Sequence, residues 1–99
     1  MPWAVDKAKQ DEIRDVSRLR LAGVLLDEKK YDEALKVLSA KPSEAYATLY
    51  ADLRGDVLAE QGKAADARAA YQAALEKLDA GSPYRRIVEV KLDALGEAK

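Results

Sequence analysis

The amino-acid sequence predicts an all-α fold in which antiparallel helix pairs stack side by side. Apolar side chains recur along most of the chain at helical spacing, and matching positions repeat at an interval of 33 residues. Composition agrees, because 5 Gly and 3 Pro among 99 residues leave room for long helices joined by short turns. Hydrophobic residues make up 48% and charged residues 35%, which is typical of one globular domain.

Six helical segments are predicted from the apolar pattern and its breaks. They cover residues 3–9, 11–27, 32–39, 43–61, 64–79 and 82–96. Pro42 ends the third segment, since proline disfavours helix in the residue before it, and Ser43 is expected to cap the next helix. Gly62 suits the position just beyond a helix end, and the run Gly81-Ser82-Pro83 supplies a stop, a cap and a first-turn proline.

The repeat interval decides the fold within the all-α class. Ala22 and Gly55 are 33 positions apart. Ala34 and Ala67 have the same separation, and small residues there let the two helices of a pair approach closely. Larger residues at this interval are expected to fill the space between pairs: Leu25 with Leu58, and Leu38 with Tyr71. A period of about 34 residues with two helices per unit is typical of the tetratricopeptide (TPR) repeat.

The predicted organisation is therefore a single TPR-like domain over 1–99, built as a short solenoid. Residues 1–9 are the tail of a truncated preceding repeat, 11–40 the first helix pair, 43–79 the second pair and 82–96 a capping helix. The polar residues of the capping helix are expected to face water: Arg85, Arg86, Glu89 and Lys91. An uncapped solenoid end favours self-association, so we expect a monomer or weak dimer whose contacts lie near Trp3, Ile13, Val16 and Leu19.

Composition also excludes several functions. The chain has no Cys and no His, which removes thiol nucleophiles, imidazole bases and nearly every zinc site. With 17 basic and 18 acidic residues, the net charge of -1 makes a nucleic-acid partner unfavourable. No apolar run reaches the ~18 residues that a membrane-spanning helix needs. The sequence thus predicts a non-catalytic protein-interaction module with no cofactor.

The first helix of each TPR unit lines a concave groove, where a protein partner is expected to bind. The candidate contact residues on this face are Leu19, Leu26, Leu49, Tyr50, Asp52 and Asp56. TPR modules that grip a peptide carboxylate resemble one another in a Lys/Asn clamp on this face, but here Leu19, Gly23, Asp52 and Asp56 occupy those places. A groove that is half apolar and half acidic suits an apolar or basic segment better.

Each candidate also has a structural interpretation. Asp52 and Asp56 lie one turn apart and could do acid–base chemistry, but solvated helix surface is the expected alternative. Leu19 and Leu26 could be covered by further repeats, and Tyr50 could be partly buried packing. Arg54 replaces an apolar residue of the repeat pattern and has no acid one turn away, so its partner should come from another element.

Three stretches resemble a narrower family: residues 17–35 (SRLRLAGVLLDEKKYDEAL), 49–63 (LYADLRGDVLAEQGK) and 90–96 (VKLDALG). They are similar to the C-terminal part of the YfgM-like family, the ancillary SecYEG translocon subunits of Gram-negative bacteria. The resemblance implies a periplasmic TPR domain on the inner membrane, an N-terminal anchoring helix outside this sequence, and contacts with the Sec translocon and the periplasmic chaperone PpiD. It implies no catalytic residues. The alternative is a generic TPR scaffold in another envelope assembly.

Overall fold

A computed structural model of the chain describes the backbone of residues 3–95 and the side chains of residues 9–95. In these ranges five α-helices and one 3-10 turn are found, and no strand. The elements are α1 (Trp3–Asp27), α2 (Tyr31–Leu38), the 3-10 turn Glu44–Tyr46, α3 (Ala47–Glu60), α4 (Ala64–Glu76) and α5 (Pro83–Leu95). Helices α1 and α2 pack as one antiparallel pair, α3 and α4 as a second, and α5 closes the end of the stack. The all-α, TPR-like fold predicted from the sequence is confirmed.

The first helix corrects one prediction. The sequence suggested a short segment over 3–9 separated from a helix at 11–27, but α1 runs unbroken for 25 residues. The intervening Lys9, Gln10 and Asp11 include no Gly or Pro, and Lys and Gln are good helix formers, so nothing ends the helix there. The backbone of 3–9 therefore extends α1. The side chains of Trp3, Val5 and Ala8, assigned to the tail of a preceding repeat, lie outside the described residues.

The ends of α1 and α3 show the repeat in the backbone itself. Gly62 has a φ of 83° and Lys29 a φ of 64°, both in the left-handed region. Each is followed by a residue whose N–H donates back across the helix end: Lys63 to Leu58 O at 2.9 Å, and Lys30 to Leu25 O at 2.8 Å. The predicted helix end at Gly62 is confirmed. Lys29 adopts the same conformation without the freedom of glycine.

Small residues set the distance between the helices of each pair. Ala22, Ala34 and Ala67 are fully buried, as the repeat pattern predicts. At Gly55 the approach is closer still, since a Cβ there would lie 2.5 Å from Cε1 of Tyr71. The Tyr71 ring therefore packs directly on the α3 backbone.

Larger side chains form two adjoining core clusters. One cluster lies between the first pair and α3, around Leu25, Leu38 and Val57. The other lies among α3, α4 and α5, around Leu58, Tyr71 and Val88. Leu35 of α2 packs against both clusters, so the two pairs share a continuous apolar core.

Two arginines bind the open carboxyl ends of helices. Arg54 Nη2 donates to the carbonyl of Leu38, the last residue of α2, at 3.1 Å. Arg85 Nη1 donates to the carbonyls of Leu75 and Leu78, at 3.2 and 3.4 Å, where α4 ends. Cations at these positions satisfy unpaired carbonyls and complement the helix dipole. Arg54 thus has a structural role in joining α3 to α2. The prediction that Arg85 faces water is wrong, because its guanidinium joins α5 to α4.

A buried carboxylate fixes the turn between the pairs. Asp15 is fully buried, and its Oδ2 accepts hydrogen bonds from the Ser43 hydroxyl at 2.7 Å and the Ser43 N–H at 3.0 Å. Ser43 was expected to cap the following helix, but its side chain makes no capping bond. Its hydroxyl instead donates to Asp15 of α1, 28 residues earlier in the chain. The two residues tie α1 to the chain entering α3.

A glycine-to-alanine pair tests the close contact in the second helix pair. Gly55→Ala should lower the free energy of unfolding by about 1–3 kcal/mol, because the new methyl group collides with the buried ring of Tyr71. Gly23→Ala is the matched control, since no atom lies within 4 Å of the added Cβ in the middle of α1. The control should raise stability by about 0.5–1 kcal/mol through helix propensity. Urea titrations measure both, and equal shifts in the two variants would contradict the packing.

The link between Asp15 and Ser43 should make stability depend on pH. Hydrogen bonds from the Ser43 hydroxyl and then from its N–H lower the pKa of Asp15, despite the opposing effect of burial. A lowered folded-state pKa contributes stability above the unfolded value of about 3.9, and this contribution is lost as pH falls toward the folded value. Ser43→Ala should lower the free energy of unfolding by about 1.5–3 kcal/mol at pH 7.

Wild-type stability should accordingly fall more steeply below pH ~4 than that of Ser43→Ala. Thermal unfolding followed by circular dichroism from pH 7 to pH 2 measures the difference. Asp93→Asn, which removes one exposed carboxylate from α5, controls for net charge. Parallel pH profiles for the wild type and Ser43→Ala would refute the link.

Candidate functional site

Five polar side chains from three helices meet between α3 and α5. We call them the Asp52–Lys91 cluster; its members are Asp52 and Asp56 of α3, Tyr71 of α4, and Tyr84 and Lys91 of α5. Helical spacing explains the arrangement, because Asp52 and Asp56 lie one turn apart on α3, and Tyr84 and Lys91 lie two turns apart on α5. Each pair therefore presents its two side chains on one helix face.

The ammonium group of Lys91 lies between the two carboxylates. Its Nζ is 3.1 and 3.0 Å from the two oxygens of Asp52, and 3.1 and 3.2 Å from those of Asp56. It also lies 5.8 Å from the centroid of the Tyr71 ring. The single ammonium group of Lys91 thus binds two carboxylates, which leaves the cluster with one excess negative charge.

Two phenols complete the hydrogen bonding of the carboxylates. Tyr71 OH donates to Asp56 Oδ1 at 2.6 Å, and Tyr84 OH donates to Asp52 Oδ2 at 2.5 Å. Burial and the neighbouring carboxylates raise the pKa of both tyrosines, so both remain protonated donors. Burial alone would lower the pKa of Lys91, but the hydrogen bond that Lys91 donates to Asp52 and the charges of both acids outweigh it and raise the pKa. Lys91 therefore stays charged across the physiological range.

The cluster corrects two predictions from the sequence. Asp52 is only 6% exposed, so its interpretation as solvated helix surface is wrong. Lys91 was expected to face water, but it binds both acids of α3. One ammonium and two phenols bind the buried carboxylate of Asp52 and the partly exposed carboxylate of Asp56, and these bonds hold α5 against the second helix pair. Within the described residues, no group of three or more acidic side chains is arranged to hold a metal ion.

The six candidate groove residues fall into different environments. Tyr50 is buried at 4% exposure, and its hydroxyl donates to the backbone carbonyl of Asp15 at 3.3 Å. Leu19 and Leu26 are half-buried and pack against the first core cluster. Asp52 and Asp56 belong to the Asp52–Lys91 cluster, while Leu49 is 38% exposed. The structure thus brings Leu49 to the surface and places Tyr50 and Asp52 inside.

Sequence reasoning missed the roles of Tyr84 and Lys91. A signal for Tyr84 was available, because it lies 34 positions after Tyr50, which is about one repeat. The Tyr50 hydroxyl donates to α1, the first helix of the first pair, and the Tyr84 hydroxyl donates to α3, the first helix of the second pair. The pairing of Lys91 had no comparable signal. It depends on how closely α5 approaches α3, which the repeat pattern alone does not state.

Replacing the shared cation tests the cluster. Lys91→Met keeps the length of the side chain but leaves two carboxylates without their ammonium. Losing one partner of a buried ion pair lowers the free energy of unfolding by about 3–5 kcal/mol. Because Lys91 is partly exposed to solvent, we expect a smaller loss of about 1–3 kcal/mol for Lys91→Met. Lys41→Met, an exposed site, should change stability by less than about 0.5 kcal/mol.

The pairing itself is measured by a double-mutant cycle in urea. Asp52→Asn should destabilise the wild type more than it destabilises Lys91→Met, because the carboxylate no longer has its ammonium partner there. Additive effects would show that the two side chains are not coupled.

Comparison with known proteins places the chain among helical-repeat proteins. A family model described as a tetratricopeptide repeat-like domain matches residues 1–97. A curated protein of Neisseria gonorrhoeae named "Ancillary SecYEG translocon subunit" is 37% identical over 95 residues, covering 96% of this chain and 46% of that protein. A protein of the same name from Escherichia coli is 34% identical over 85 residues, covering 86% of this chain and 41% of that protein.

The chain therefore spans less than half the length of these curated relatives. No solved structure matches it significantly. The resemblance drawn from residues 17–35, 49–63 and 90–96 is confirmed by the names of both relatives. Together with the stacked helix pairs of the fold, the match over residues 1–97 shows that the chain belongs to the tetratricopeptide repeat-like domain family.

Proposed function

We propose that this chain is a non-catalytic protein-interaction module of an ancillary SecYEG translocon subunit. It acts on the periplasmic side of the inner membrane, held there by an anchoring helix of the longer protein, and links the translocon to the periplasmic chaperone PpiD. The observation that carries the translocon part of the proposal is the 37% identity over 96% of the chain with a protein named "Ancillary SecYEG translocon subunit". The periplasmic location and the link to PpiD rest on the family resemblance of the sequence. No helix of residues 3–95 has the length and hydropathy that a bilayer crossing requires.

The shape of the fold supports a binding role. The stack measures 56 × 34 × 17 Å, so the small domain is flat and presents broad faces. Stacked helix pairs characteristically offer such extended surfaces to protein partners. The Asp52–Lys91 cluster contributes by fixing α5 beside α3, since its hydrogen bonds and ion pairs join these two helices.

The exposed groove residue suggests the chemistry of the partner. Leu49 projects 38% exposed from the first turn of α3, on the same helix as Asp52 and Asp56. Two carboxylates with one ammonium leave an excess negative charge on that helix. We therefore propose that the partner contributes an apolar segment with a flanking basic residue. The apolar side chain of the partner would pack on Leu49, and the excess negative charge of α3 would attract the flanking basic residue and so orient the segment.

A single charged substitution tests this surface. Leu49→Glu should weaken capture of purified, detergent-solubilised SecYEG by the immobilised chain at least about tenfold, because a carboxylate replaces the apolar contact. Gln72→Glu adds the same charge at an exposed site of α4 and should leave capture unchanged. Quantitative immunoblotting measures captured translocon, and circular dichroism verifies that both variants fold.

Repeating the experiment with the soluble domain of PpiD separates the two partners. Loss of SecYEG capture alone would assign Leu49 to the translocon, and loss of PpiD capture alone would assign it to the chaperone. If the wild-type chain captures neither protein, the proposed function is wrong for this domain. Equal capture by wild type and Leu49→Glu would place the contact on another face.

A further inference from the structure

The junction between the two helix pairs leaves an open apolar groove at the surface. The groove has a volume of about 410 Å³, within the size range of ligand pockets. Its apolar lining comes from three described helices: Leu35 of α2, Leu58 of α3, and Ala69 and Ala70 of α4. Both pairs are already stacked here, because Leu35 packs against both core clusters. The groove is therefore a feature of the completed junction, and no wall of it depends on residues outside α2, α3 and α4.

This groove lies on the opposite side of α3 from Leu49. Leu58 follows Leu49 by nine residues, or about two and a half helical turns, so the two side chains project in opposite directions. A ligand in the groove would leave Leu49 accessible. The groove is thus a separate surface, and its ligand need be neither the translocon nor the chaperone of the function proposed above.

Opposite charges lie at the two ends of the apolar lining. Arg54 of α3 and Asp66 of α4 both line the groove. Since Tyr71 packs on Gly55 and the two helices are antiparallel, Arg54 and Asp66 are separated by about 9 Å along the helix axes. A second depression, of about 330 Å³, adjoins the groove at Arg54 and reaches the exposed Lys41. The groove therefore has a basic end at Arg54 and an acidic end at Asp66.

Neither of these two charges is neutralised within the described part of the chain. Arg54 donates a hydrogen bond to the carbonyl of Leu38 and forms no ion pair with a described acid. A guanidinium carries five N–H donors, so donors remain for a carboxylate of a ligand. Asp66 is exposed in the first turn of α4 and forms no ion pair with a described base. The groove thus offers one place for an acid and one for a base, with an apolar surface between them.

The backbone of the lining residues favours a helical ligand. Leu35, Leu58 and Ala70 lie inside helices, where backbone N–H and C=O groups bond within the helix. An extended segment would find no main-chain partners over this apolar surface, whereas a helix satisfies its own backbone groups. Two turns of a helix span about 11 Å, which is close to the separation of Arg54 and Asp66. A helix can therefore meet both charges at once.

We propose that this groove binds an amphipathic helix of a partner protein, with an acid and a base about two turns apart and an aliphatic residue between them. The acid binds Arg54, and the base binds Asp66. The aliphatic side chain packs among Leu35, Leu58 and Ala70. Because opposite charges must meet at both ends, a helix with two acids is repelled at Asp66, and a helix with two bases is repelled at Arg54.

Three synthetic helical peptides test the chemistry of the ligand. They are alanine-based, about 18 residues long and blocked at both ends, and one face carries Glu, Leu and Lys, or Glu, Ala and Lys, or Glu, Leu and Glu. NMR titration of the isotope-labelled chain measures the affinity and locates the contact. The peptide with Glu, Leu and Lys should bind with a dissociation constant below about 1 mM and shift the amide signals of Leu35, Leu58 and Ala70. The other two should bind at least about fivefold more weakly.

A charge exchange in the chain tests the acidic end of the groove. Asp66→Lys should weaken binding of the peptide with Glu, Leu and Lys about threefold to tenfold, because Lys then faces Lys. The same variant should bind the peptide with Glu, Leu and Glu more tightly by a similar factor, whichever way the peptide helix runs. Asp93→Lys makes the same charge change at an exposed site of α5 and should alter neither affinity. Circular dichroism verifies that both variants fold.

Three results would overturn the proposal. The first is that the wild-type chain does not bind the peptide with Glu, Leu and Lys at concentrations up to about 2 mM. The second is binding whose signal shifts centre on Leu49 or on α5 instead of the groove. The third is an equal effect of Asp66→Lys and Asp93→Lys on the affinities, which would show that Asp66 does not contact the ligand.

Discussion

The contact between Gly55 and the ring of Tyr71 sets the spacing on which the second half of the molecule depends. With no Cβ on Gly55, the ring packs on the α3 backbone and its hydroxyl reaches Asp56, one residue further along the same helix. Asp56 is then oriented toward Lys91, which also binds Asp52. A larger residue at position 55 would displace the ring and with it the phenol that orients the carboxylate. Apolar packing and polar bonding in this region are therefore parts of one arrangement.

The first half of the molecule uses different chemistry for the same purpose. There Asp15 is fully buried on α1 and receives both donors of Ser43, while the Tyr50 hydroxyl bonds the Asp15 carbonyl. Asp15 thus joins the first pair to the turn before α3 and to α3 itself. Both halves bury a carboxylate, but Asp15 accepts hydrogen bonds from neutral donors at its Oδ2 atom, whereas Asp52 binds an ammonium and a phenol. Hydrogen bonds from Ser43 to the charged form lower the pKa of Asp15 and keep it ionised inside the fold.

Much of the fold follows from local rules that can be read in sequence. Buried Ala34 and Ala67 lie 33 positions apart, as do buried Ala22 and Gly55, and Gly62 ends α3 as its left-handed backbone requires. The unbroken α1 was missed, because polar residues at 9–11 interrupt the apolar pattern without interrupting helix propensity. The apolar pattern of a sequence indicates which residues pack in the core, whereas the continuity of a helix depends on the helix propensity of every residue in it.

The candidate site was less predictable than the fold. Repeat register placed Leu49, Asp52 and Asp56 near the inner face of α3, but it could not state which of them α5 would cover. Lys91 contacts acids 35 and 39 positions earlier, and such a pairing leaves no trace in local periodicity. Ser43 was similarly ambiguous, since the same hydroxyl can cap its own helix or bond a distant carboxylate. Only the three-dimensional arrangement distinguishes these alternatives.

The two arginine contacts at helix ends have an evolutionary consequence. Arg54 and Arg85 bind backbone carbonyls, which every residue possesses. These bonds therefore do not depend on which side chains are present at Leu38, Leu75 and Leu78. A contact between an arginine and a backbone carbonyl therefore needs no compensating substitution in the neighbouring unit when that unit is duplicated, lost or exchanged. Helix pairs joined through such bonds can diverge in sequence while their stacking persists. Recombination between repeat genes would preserve these joints more readily than a junction built on paired side chains such as Asp15 and Ser43.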